Sequence, residues 1–256
     1  MSSSFLVIGH RGAAGLAPEH TRPSFERALA IGVDMIELDV QLTRDGHLVV
    51  VHDRELGRTA TGTGAVRAHS LAELKQLDTG SWFGEAFRGE PLFTLAEVFD
   101  LLDGRAPLNV EIKSPEPDWE ATAGVLAEVL REAGALTSTV VSSFEMGALE
   151  AVRARLPEAR IGVLWQSLDV VPAWEWAQRL RATSFHPFVG LVSDDLVDAA
   201  RAHGLRVYTW TVNDQNEIRR VAAAGVDGII SDFPDRLRLV REQLATATGS
   251  LPRHRA

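Results

Sequence analysis

Residues Met35 to Gln41 read MIELDVQ, a short apolar run that carries two carboxylates, Glu37 and Asp39, two positions apart. Seven other short runs rich in β-branched residues recur along the chain, and longer segments with apolar residues at helical spacing lie between them. The eight runs begin at Phe5, Met35, Leu108, Thr139, Arg160, Thr183, Arg206 and Asp227. Strands that alternate with helices in this way are typical of a parallel sheet covered by helices.

Eight strand-and-helix units in 256 residues predict a single α/β domain, a (β/α)8 barrel that spans residues 1–256. A doubly wound open sheet is the alternative, but such a sheet usually carries a glycine-rich phosphate loop early in the chain, and this sequence has none. The alternation breaks at residues 53–93, which include TATGTG at Thr59 to Gly64, and we expect a small cap-like insertion there. We expect residues 246–256, which are polar and rich in small residues, to form a frayed tail.

Composition excludes several classes of protein. The chain has no cysteine, which rules out disulfide frameworks, thiolate nucleophiles and cysteine-ligated zinc. Its net charge of -9 and the lack of a long basic stretch argue against a nucleic-acid partner. No stretch approaches the ~20 apolar residues of a membrane span, and the start lacks the basic region of a signal peptide. We therefore expect a cytoplasmic protein without a stable membrane anchor.

Three carboxylates are expected to face one cavity. Because side chains alternate along a strand, Glu37 and Asp39 point to the same face, and Glu111 shares its strand face with Asn109 and Lys113. Active sites of such barrels lie at the carboxyl ends of the strands. Carboxylates this close repel one another unless a cation neutralises them, and oxygen ligands suit Mg²⁺ or Ca²⁺. The sequence therefore predicts one divalent cation; the alternative is that these acids only form ion pairs with arginines.

Two histidines flank the predicted carboxylate cluster. His10 follows the first strand, and His52 follows a short apolar run after the second. If Asp45 and Gly46 form a two-residue hairpin turn, His52 lies opposite Asp39, whereas a turn one residue longer shifts the pairing. Two histidines on opposite sides of a carboxylate cluster indicate an acid and base pair.

The motifs around these residues resemble those of the glycerophosphodiester phosphodiesterases of bacterial, cytoplasmic type. The resemblance covers nearly the whole chain and rests on HRGAAGLAPEHT from His10, ELDVQLTRDGHLVVVHD from Glu37, VEIK from Val110, SFE from Ser143, YTWTVND from Tyr208 and AGVDGIISDFP from Ala224. It implies a (β/α)8 TIM barrel with a small insertion after the second strand. It also implies metal-dependent hydrolysis of glycerophosphodiesters, such as glycerophosphocholine or glycerophosphoethanolamine, to glycerol 3-phosphate and an alcohol, a reaction of lipid and glycerol metabolism.

The same resemblance implies a role for each residue of the site. The catalytic histidines would be His10 and His52, and the ligands of the divalent cation, Mg²⁺ or Ca²⁺, would be Glu37, Asp39 and Glu111. The phosphate and the rest of the substrate would be bound by Arg11, Glu19, Lys113, Phe144 and Trp210. One departure is visible, because the family usually reads Glu-Asn-Thr where this chain has Glu19-His20-Thr21.

Three other functions remain open from the sequence. A phosphodiesterase for lysophospholipids or phosphoinositides would need an apolar groove, which Trp82, Phe83 and Phe87 in the insertion could supply. A noncatalytic barrel would be expected to lack a catalytic residue type, and none is missing. A sugar-phosphate isomerase or aldolase would need a glycine-rich phosphate grip near the last two strands, where this chain has only a weak match. The head group, the histidine that acts as acid, the attacking oxygen and the oligomeric state are not specified by the sequence.

Overall fold

Eight parallel strands close into a barrel in the computed structural model, which describes residues 5–249. The barrel strands are β1 (Leu6–His10), β2 (Met35–Leu42), β4 (Leu108–Ile112), β5 (Val140–Ser143), β6 (Arg160–Trp165), β7 (Ser184–Pro187), β8 (Arg206–Thr209) and β9 (Gly228–Ser231), and the short β3 (Leu48–Val50) pairs antiparallel with β2. The barrel is closed because β1 pairs with both β2 and β9. The predicted (β/α)8 barrel is confirmed, and each of the eight predicted runs overlaps a barrel strand.

Helices connect successive strands and cover the outside of the barrel. They are α1 (Arg22–Ile31), α2 (Leu71–Leu74), α3 (Leu95–Leu102), α4 (Trp119–Glu132), α5 (Met146–Arg155), α6 (Val171–Leu180), α7 (Asp194–Ala202), α8 (Gln215–Ala223) and α9 (Pro234–Gly249). Of the predicted tail at 246–256, residues 246–249 belong to α9 and residues 250–256 lie outside the described part of the chain. No helix within residues 5–249 combines the length and the apolar character that a bilayer span requires.

An apolar cluster lies inside the barrel, beneath a polar mouth. The main core lies between the strands and the helices, while a separate interior cluster consists of Ile8, Met35, Val140, Tyr208 and Ile230. Side chains two positions apart in a strand point to the same face. Two positions after Ile8, Met35, Tyr208 and Ile230 lie the mouth residues His10, Glu37, Trp210 and Asp232, respectively. The apolar side chains therefore fill the barrel on the side of the strands' amino ends, and the chemistry lies at their carboxyl ends.

Strand register brings the polar side chains of β1, β2 and β4 together. His10 on β1 lies beside Glu37 on β2, and Asp39 on β2 lies beside Glu111 on β4. Since side chains at paired positions of neighbouring strands point to the same face, these four groups converge on the mouth of the barrel.

The hairpin between β2 and β3 differs from the predicted one. Its loop has three residues, 44–46, and ends on Gly46, whose φ of 83° lies in the left-handed region that glycine adopts readily. The Val51 N–H donates to the carbonyl oxygen of Asp39 at 3.1 Å, so Val51 lies opposite Asp39. The prediction that His52 lies opposite Asp39 was therefore wrong by one residue, because the turn is one residue longer.

Residues 53–93, predicted as a cap-like insertion, contain little regular structure but have apolar contacts of their own. Val49, Val51, Val66, Leu74 and Leu92 form a small cluster of buried side chains between this segment and the β2–β3 hairpin. Two 3-10 helices, Val66–Ala68 and Glu85–Phe87, and the short α2 lie within the segment. The insertion is thus packed against the edge of the barrel next to β3.

We predict that Phe25→Ala lowers the free energy of unfolding by about 3–5 kcal/mol, the usual cost of truncating a buried phenylalanine. Phe25 on α1 is fully buried and packs edge to face on Phe93, with ring centroids 6.3 Å apart. Urea denaturation measures the change. Leu168→Ala serves as the control, because Leu168 is 89% exposed and its truncation is expected to change stability by less than about 0.5 kcal/mol. Equal midpoints for the two variants would contradict this packing.

Candidate active site

A cavity of about 90 Å³ opens at the carboxyl ends of the barrel strands. Its lining consists of His10, Arg11, Glu37, His52, Asn109, Glu111, Lys113, Phe144, Leu164, Trp210, Thr211 and Ile230. Eight of the ten site residues predicted from the sequence are among them. The other two, Asp39 and Glu19, are not among the lining residues, but each forms an ion pair with Arg11, which is.

Glu37, Asp39 and Glu111 form a buried acidic cluster. Oxygen atoms from the three carboxylates lie within 4.8 Å of one another, and the residues are only 3%, 1% and 8% exposed. The alternation of β2 and its register with β4 fix this arrangement. Carboxylate oxygens grouped in this way are the ligands that hard divalent cations prefer.

The pKa shifts of the cluster reflect its crowded negative charge and its burial. Burial, together with the neighbouring Asp39 and Glu111, raises the pKa of Glu37 well above its usual value. Burial and Asp39 also raise the pKa of Glu111 to about 7. Burial opposes ionisation of Asp39 too, but His20, Lys113 and Arg11 hold its pKa well below the usual range. A bound cation would favour the ionised form of all three groups.

Two cations lie close to the acidic cluster but do not satisfy it. Arg11 Nε is 3.2 Å from Asp39 Oδ2, and Lys113 Nζ is 2.5 Å from Glu111 Oε1. The alternative of ion pairing is therefore present, yet three carboxylates face two cations. The oxygens in these two ion pairs, Asp39 Oδ2 and Glu111 Oε1, are fully buried. The residues present thus fit a divalent cation in addition to these ion pairs.

Each of the two histidines that line the cavity is held by a carboxylate. The Nδ1 of His10 lies 2.6 Å from Asp232 Oδ1, and the Nδ1 of His52 lies 2.7 Å from Asp53 Oδ1. Donation from Nδ1 to the carboxylate leaves Nε2 of each ring for proton transfer. Burial, with Arg11 and Lys113 nearby, lowers the pKa of His52 despite the opposing influence of Asp39 and Asp53.

The loop after β1 positions Arg11 through a tight turn. Arg11 and Gly12 have φ values of 50° and 89°, and a Cβ on Gly12 would come within 2.5 Å of Ser24 Oγ. Ser24 accepts a hydrogen bond from the Ala13 N–H and donates one to the Arg11 carbonyl, which fixes the loop to α1. Glycine is therefore required at position 12, because any side chain would be both strained and in collision.

His20, which departs from the family pattern, lies against a predicted cation ligand. The ring is 6% exposed, and its Nε2 accepts a hydrogen bond from the Asp39 backbone N–H at 3.2 Å. Burial lowers the pKa of His20, although Asp39 and Glu19 oppose this effect. The ring thus contacts the β2 backbone at the position of Asp39.

Aromatic side chains form one wall of the mouth. Phe144 and Trp210 meet edge to face with centroids 5.4 Å apart, and Lys113 Nζ lies 5.8 Å from the centroid of Phe144. Phe188, which is 42% exposed, contacts the other side of Trp210. Of the three, Phe144 and Trp210 line the cavity.

Several residues of the site were missed by reasoning from the sequence. Asp53 follows His52 directly and lies at the start of the insertion, while Asp232 follows β9 and is held by Asn213 Nδ2 at 2.6 Å. The position of Asp232 after a barrel strand was a usable signal, since such positions face the mouth. Arg58, which binds both Asp53 and Glu19, offered no comparable signal, because it lies in an irregular segment.

The comparisons with known proteins agree with this site. The family model described as the glycerophosphoryl diester phosphodiesterase family matches residues 10–236. The chain is 42% identical to a glycerophosphodiester phosphodiesterase of Caldanaerobacter subterraneus subsp. tengcongensis, over 93% of this chain and 98% of the relative. A glycerophosphodiester phosphodiesterase of Bacillus subtilis is 32% identical, over 93% of this chain and 86% of the relative.

Solved structures with the same fold include two phosphodiesterases. One is an Oleispira antarctica phosphodiesterase in complex with the product sn-glycerol-3-phosphate, with a TM-score of 0.87, 32% identity and coverage of 92% of this chain and 96% of that chain. The other is a glycerophosphodiester phosphodiesterase from Agrobacterium tumefaciens, with a TM-score of 0.81, 30% identity and coverage of 92% and 100%.

We predict that Glu19→Gln destabilises the protein at neutral pH and that the difference from the wild type disappears in acid. Burial opposes ionisation of Glu19, but Arg58 and Arg11 lower its pKa from 4.5 to about 2. The stability from its charge is therefore present above about pH 4.5 and is lost as the pH falls through about 2. At about 1.4 kcal/mol per pKa unit, the difference at neutral pH is on the order of 3 kcal/mol.

Urea denaturation at several pH values from neutral to acid measures this difference. Glu85→Gln is the matched control, because Glu85 is 76% exposed in its ion pair with Arg88 and should contribute little at any pH. A Glu19→Gln effect that stays constant as the pH falls would contradict the assignment of a stabilising, ionised Glu19.

Proposed function

The chain belongs to the glycerophosphoryl diester phosphodiesterase family, and on that premise we propose that it hydrolyses glycerophosphodiesters to glycerol 3-phosphate and an alcohol with a divalent cation. The observation that carries this proposal is that the acidic cluster of Glu37, Asp39 and Glu111 lies in the same mouth as two histidines. These are His10 and His52, and each is hydrogen-bonded to a carboxylate. A phosphodiester needs both charge neutralisation and proton transfer to be cleaved, and these residues supply both.

Glu37, Asp39 and Glu111 would hold one divalent cation, Mg²⁺ or Ca²⁺. When bound, this cation supplies charge stabilisation for the phosphoryl oxygens during displacement at phosphorus. The burial of three carboxylates beside only two cations, Arg11 and Lys113, supports this assignment. Hard oxygen ligands favour Mg²⁺ or Ca²⁺ over softer metals.

Arg11 and Lys113 would bind the nonbridging phosphate oxygens from the protein side. Both line the cavity and retain unused donors, since Arg11 offers a fork of five N–H groups and Lys113 three. Glu19 holds the Arg11 guanidinium by a 2.8 Å hydrogen bond from Nη1, so the arginine is fixed before the substrate binds. A cation fixed in advance stabilises developing charge without reorganisation.

His10 would act as the base and His52 as the acid. His10 Nε2 would take the proton from the attacking oxygen, and His52 Nε2 would give a proton to the departing alcohol. An alkoxide is a poor leaving group near neutral pH, so the acid is needed, and each proton transfer typically contributes about 10²- to 10⁴-fold. The hydrogen bonds from Nδ1 to Asp232 and Asp53 keep both rings in the required orientation.

The cavity favours small, water-soluble substrates. Its volume of about 90 Å³ is below the usual range for drug-sized ligands of about 300–1,000 Å³, so it suits the glycerol phosphate portion and leaves the second alcohol outside. Phe144 and Trp210 would pack against the carbon atoms of the glycerol. Trp82 and Phe83 are exposed on the insertion and do not line the cavity, which favours glycerophosphocholine and glycerophosphoethanolamine over lysophospholipids.

In this proposal residues 1–256 act as one domain, and residues 53–93 form a cap beside the mouth. The product in the Oleispira antarctica structure, sn-glycerol-3-phosphate, is the product proposed for this chain.

We predict that the purified protein releases glycerol 3-phosphate from glycerophosphocholine with Mg²⁺ or Ca²⁺ and that a chelator abolishes release. Glu37→Gln, Asp39→Asn and Glu111→Gln should each lower turnover to below about 1% of the wild type, because charge stabilisation of this kind is worth about 10²- to 10³-fold. A coupled assay for glycerol 3-phosphate measures the rate. The exposed Glu85→Gln is the control and should keep full activity. Full activity in the chelator would overturn the proposed role of the cation.

We predict that His52→Ala lowers kcat on glycerophosphocholine by about 10²- to 10⁴-fold but lowers it far less on an activated aryl phosphodiester. The aryl alcohol leaves without protonation, so the loss of the acid matters little for that substrate. His47→Ala is the control, since His47 is exposed and outside the cavity. Equal losses of His52→Ala on the two substrates would assign His52 a role other than the acid.

A further inference from the structure

The sequence TATGTG at Thr59 to Gly64 has no role in the proposed mechanism, yet it shapes the loop that presents Arg58. The Val66 N–H donates to the Arg54 carbonyl and the Leu56 N–H to the Gly64 carbonyl, so residues 54–66 fold back on themselves. Gly62 and Gly64 have φ values of 99° and 93°. These backbone contacts fix the loop at the edge of the mouth.

The Arg58 guanidinium binds two carboxylates at once, each through two hydrogen bonds. Nε and Nη2 donate to the two oxygens of Asp53 at 2.5 and 3.1 Å. Nη1 and Nη2 donate to the two oxygens of Glu19 at 3.1 and 2.8 Å. The planar fork of arginine matches this paired geometry, which a lysine ammonium cannot reproduce.

Each of these carboxylates holds a residue of the proposed mechanism. Asp53 accepts the hydrogen bond from His52 Nδ1, and Glu19 accepts one from Arg11 Nη1. Arg58 is therefore the central link of a continuous chain from the proposed acid to the proposed phosphate ligand. It touches neither the cavity nor the acidic cluster, so it acts through other residues.

The structural setting separates this link from an ordinary surface ion pair. Arg58 is 45% exposed, and exposed pairs usually contribute little, but its partner Glu19 is only 8% exposed. Burial opposes ionisation of Asp53, and Arg58 and His52 lower its pKa to about 2, so the carboxylate that faces His52 stays charged. The insertion also has its own apolar cluster around Val66 and Leu74, which stabilises it independently of the ion pairs of Arg58.

We propose that Arg58 is a positioning residue that holds His52, through Asp53, and Arg11, through Glu19, in the geometry needed for phosphodiester hydrolysis. This inference rests on the proposed function. Removing a residue that orients a functional side chain through a hydrogen bond typically lowers activity by about 10- to 100-fold. We expect a loss in that range when Arg58 is replaced.

The test compares Arg58→Ala and Arg58→Lys with the wild type on glycerophosphocholine. Both variants should lower kcat by about 10- to 100-fold while KM changes less than about threefold, because orientation rather than binding is lost. Arg58→Ala removes a partner of the buried Glu19, so its melting temperature should fall, whereas Arg58→Lys keeps the charge and should melt closer to the wild type. The exposed Arg88→Ala, another insertion arginine bound to a glutamate, should keep full kcat. Arg58→Lys is the stringent variant, since it retains the charge and the fold but lacks the fork.

A double-mutant cycle with Asp53→Asn shows whether Arg58 acts through Asp53. If it does, Arg58→Ala lowers kcat by a much smaller factor in the Asp53→Asn background than in the wild type. A kcat for Arg58→Lys within twofold of the wild type would overturn the inference, as would losses that multiply independently in the cycle. The wild type serves as the reference in every arm, so its failure to hydrolyse the diester would instead count against the proposed function.

Discussion

Three buried carboxylates within 4.8 Å of one another impose the constraint on which the rest of the site depends. Glu37, Asp39 and Glu111 are placed there by two neighbouring parallel strands whose register cannot shift without turning their apolar neighbours out of the core. Arg11 and Lys113 offset part of this charge, but the raised pKa values of Glu37 and Glu111 show that the offset is incomplete. In the proposed function a divalent cation would complete it and would make the acidic cluster a phosphate-binding centre.

Around this centre, hydrogen-bonded pairs of polar and charged side chains fix the orientation of the histidines and of Arg11. His10 is held by Asp232, which follows the neighbouring strand β9 near the other end of the chain, and His52 by Asp53 from the start of the insertion. Arg11 is held by Glu19, and His20 supports the backbone of Asp39. A site of this kind is rigid before the substrate arrives, which is the condition under which fixed charges lower a barrier most. The cost is a set of buried ionic groups that a purely structural barrel would not need.

The sequence predicted the barrel and the shared face of the carboxylates because both depend on local periodicity. The two-residue alternation of β2 is enough to place Glu37 beside Asp39, and the strand-and-helix alternation is enough for the fold. The register of His52 was predicted wrongly, because the length of a turn is not fixed by its residue types alone. The link of His10 to Asp232 joins residues 222 positions apart, and Arg58 meets Glu19 across 39 positions. Such contacts arise only when the barrel closes and the insertion packs on it, so no pattern within either segment reveals them.

Equilibrium dialysis of the wild type and Asp39→Asn against Mg²⁺ and Ca²⁺, with folding checked by circular dichroism, tests the central claim most directly. The cation count per chain is independent of any substrate or assay. We expect one bound cation per wild-type chain and none in the folded variant. A folded wild type that binds neither cation, or a variant that binds as well as the wild type, would contradict the assignment of the acidic cluster as the cation site.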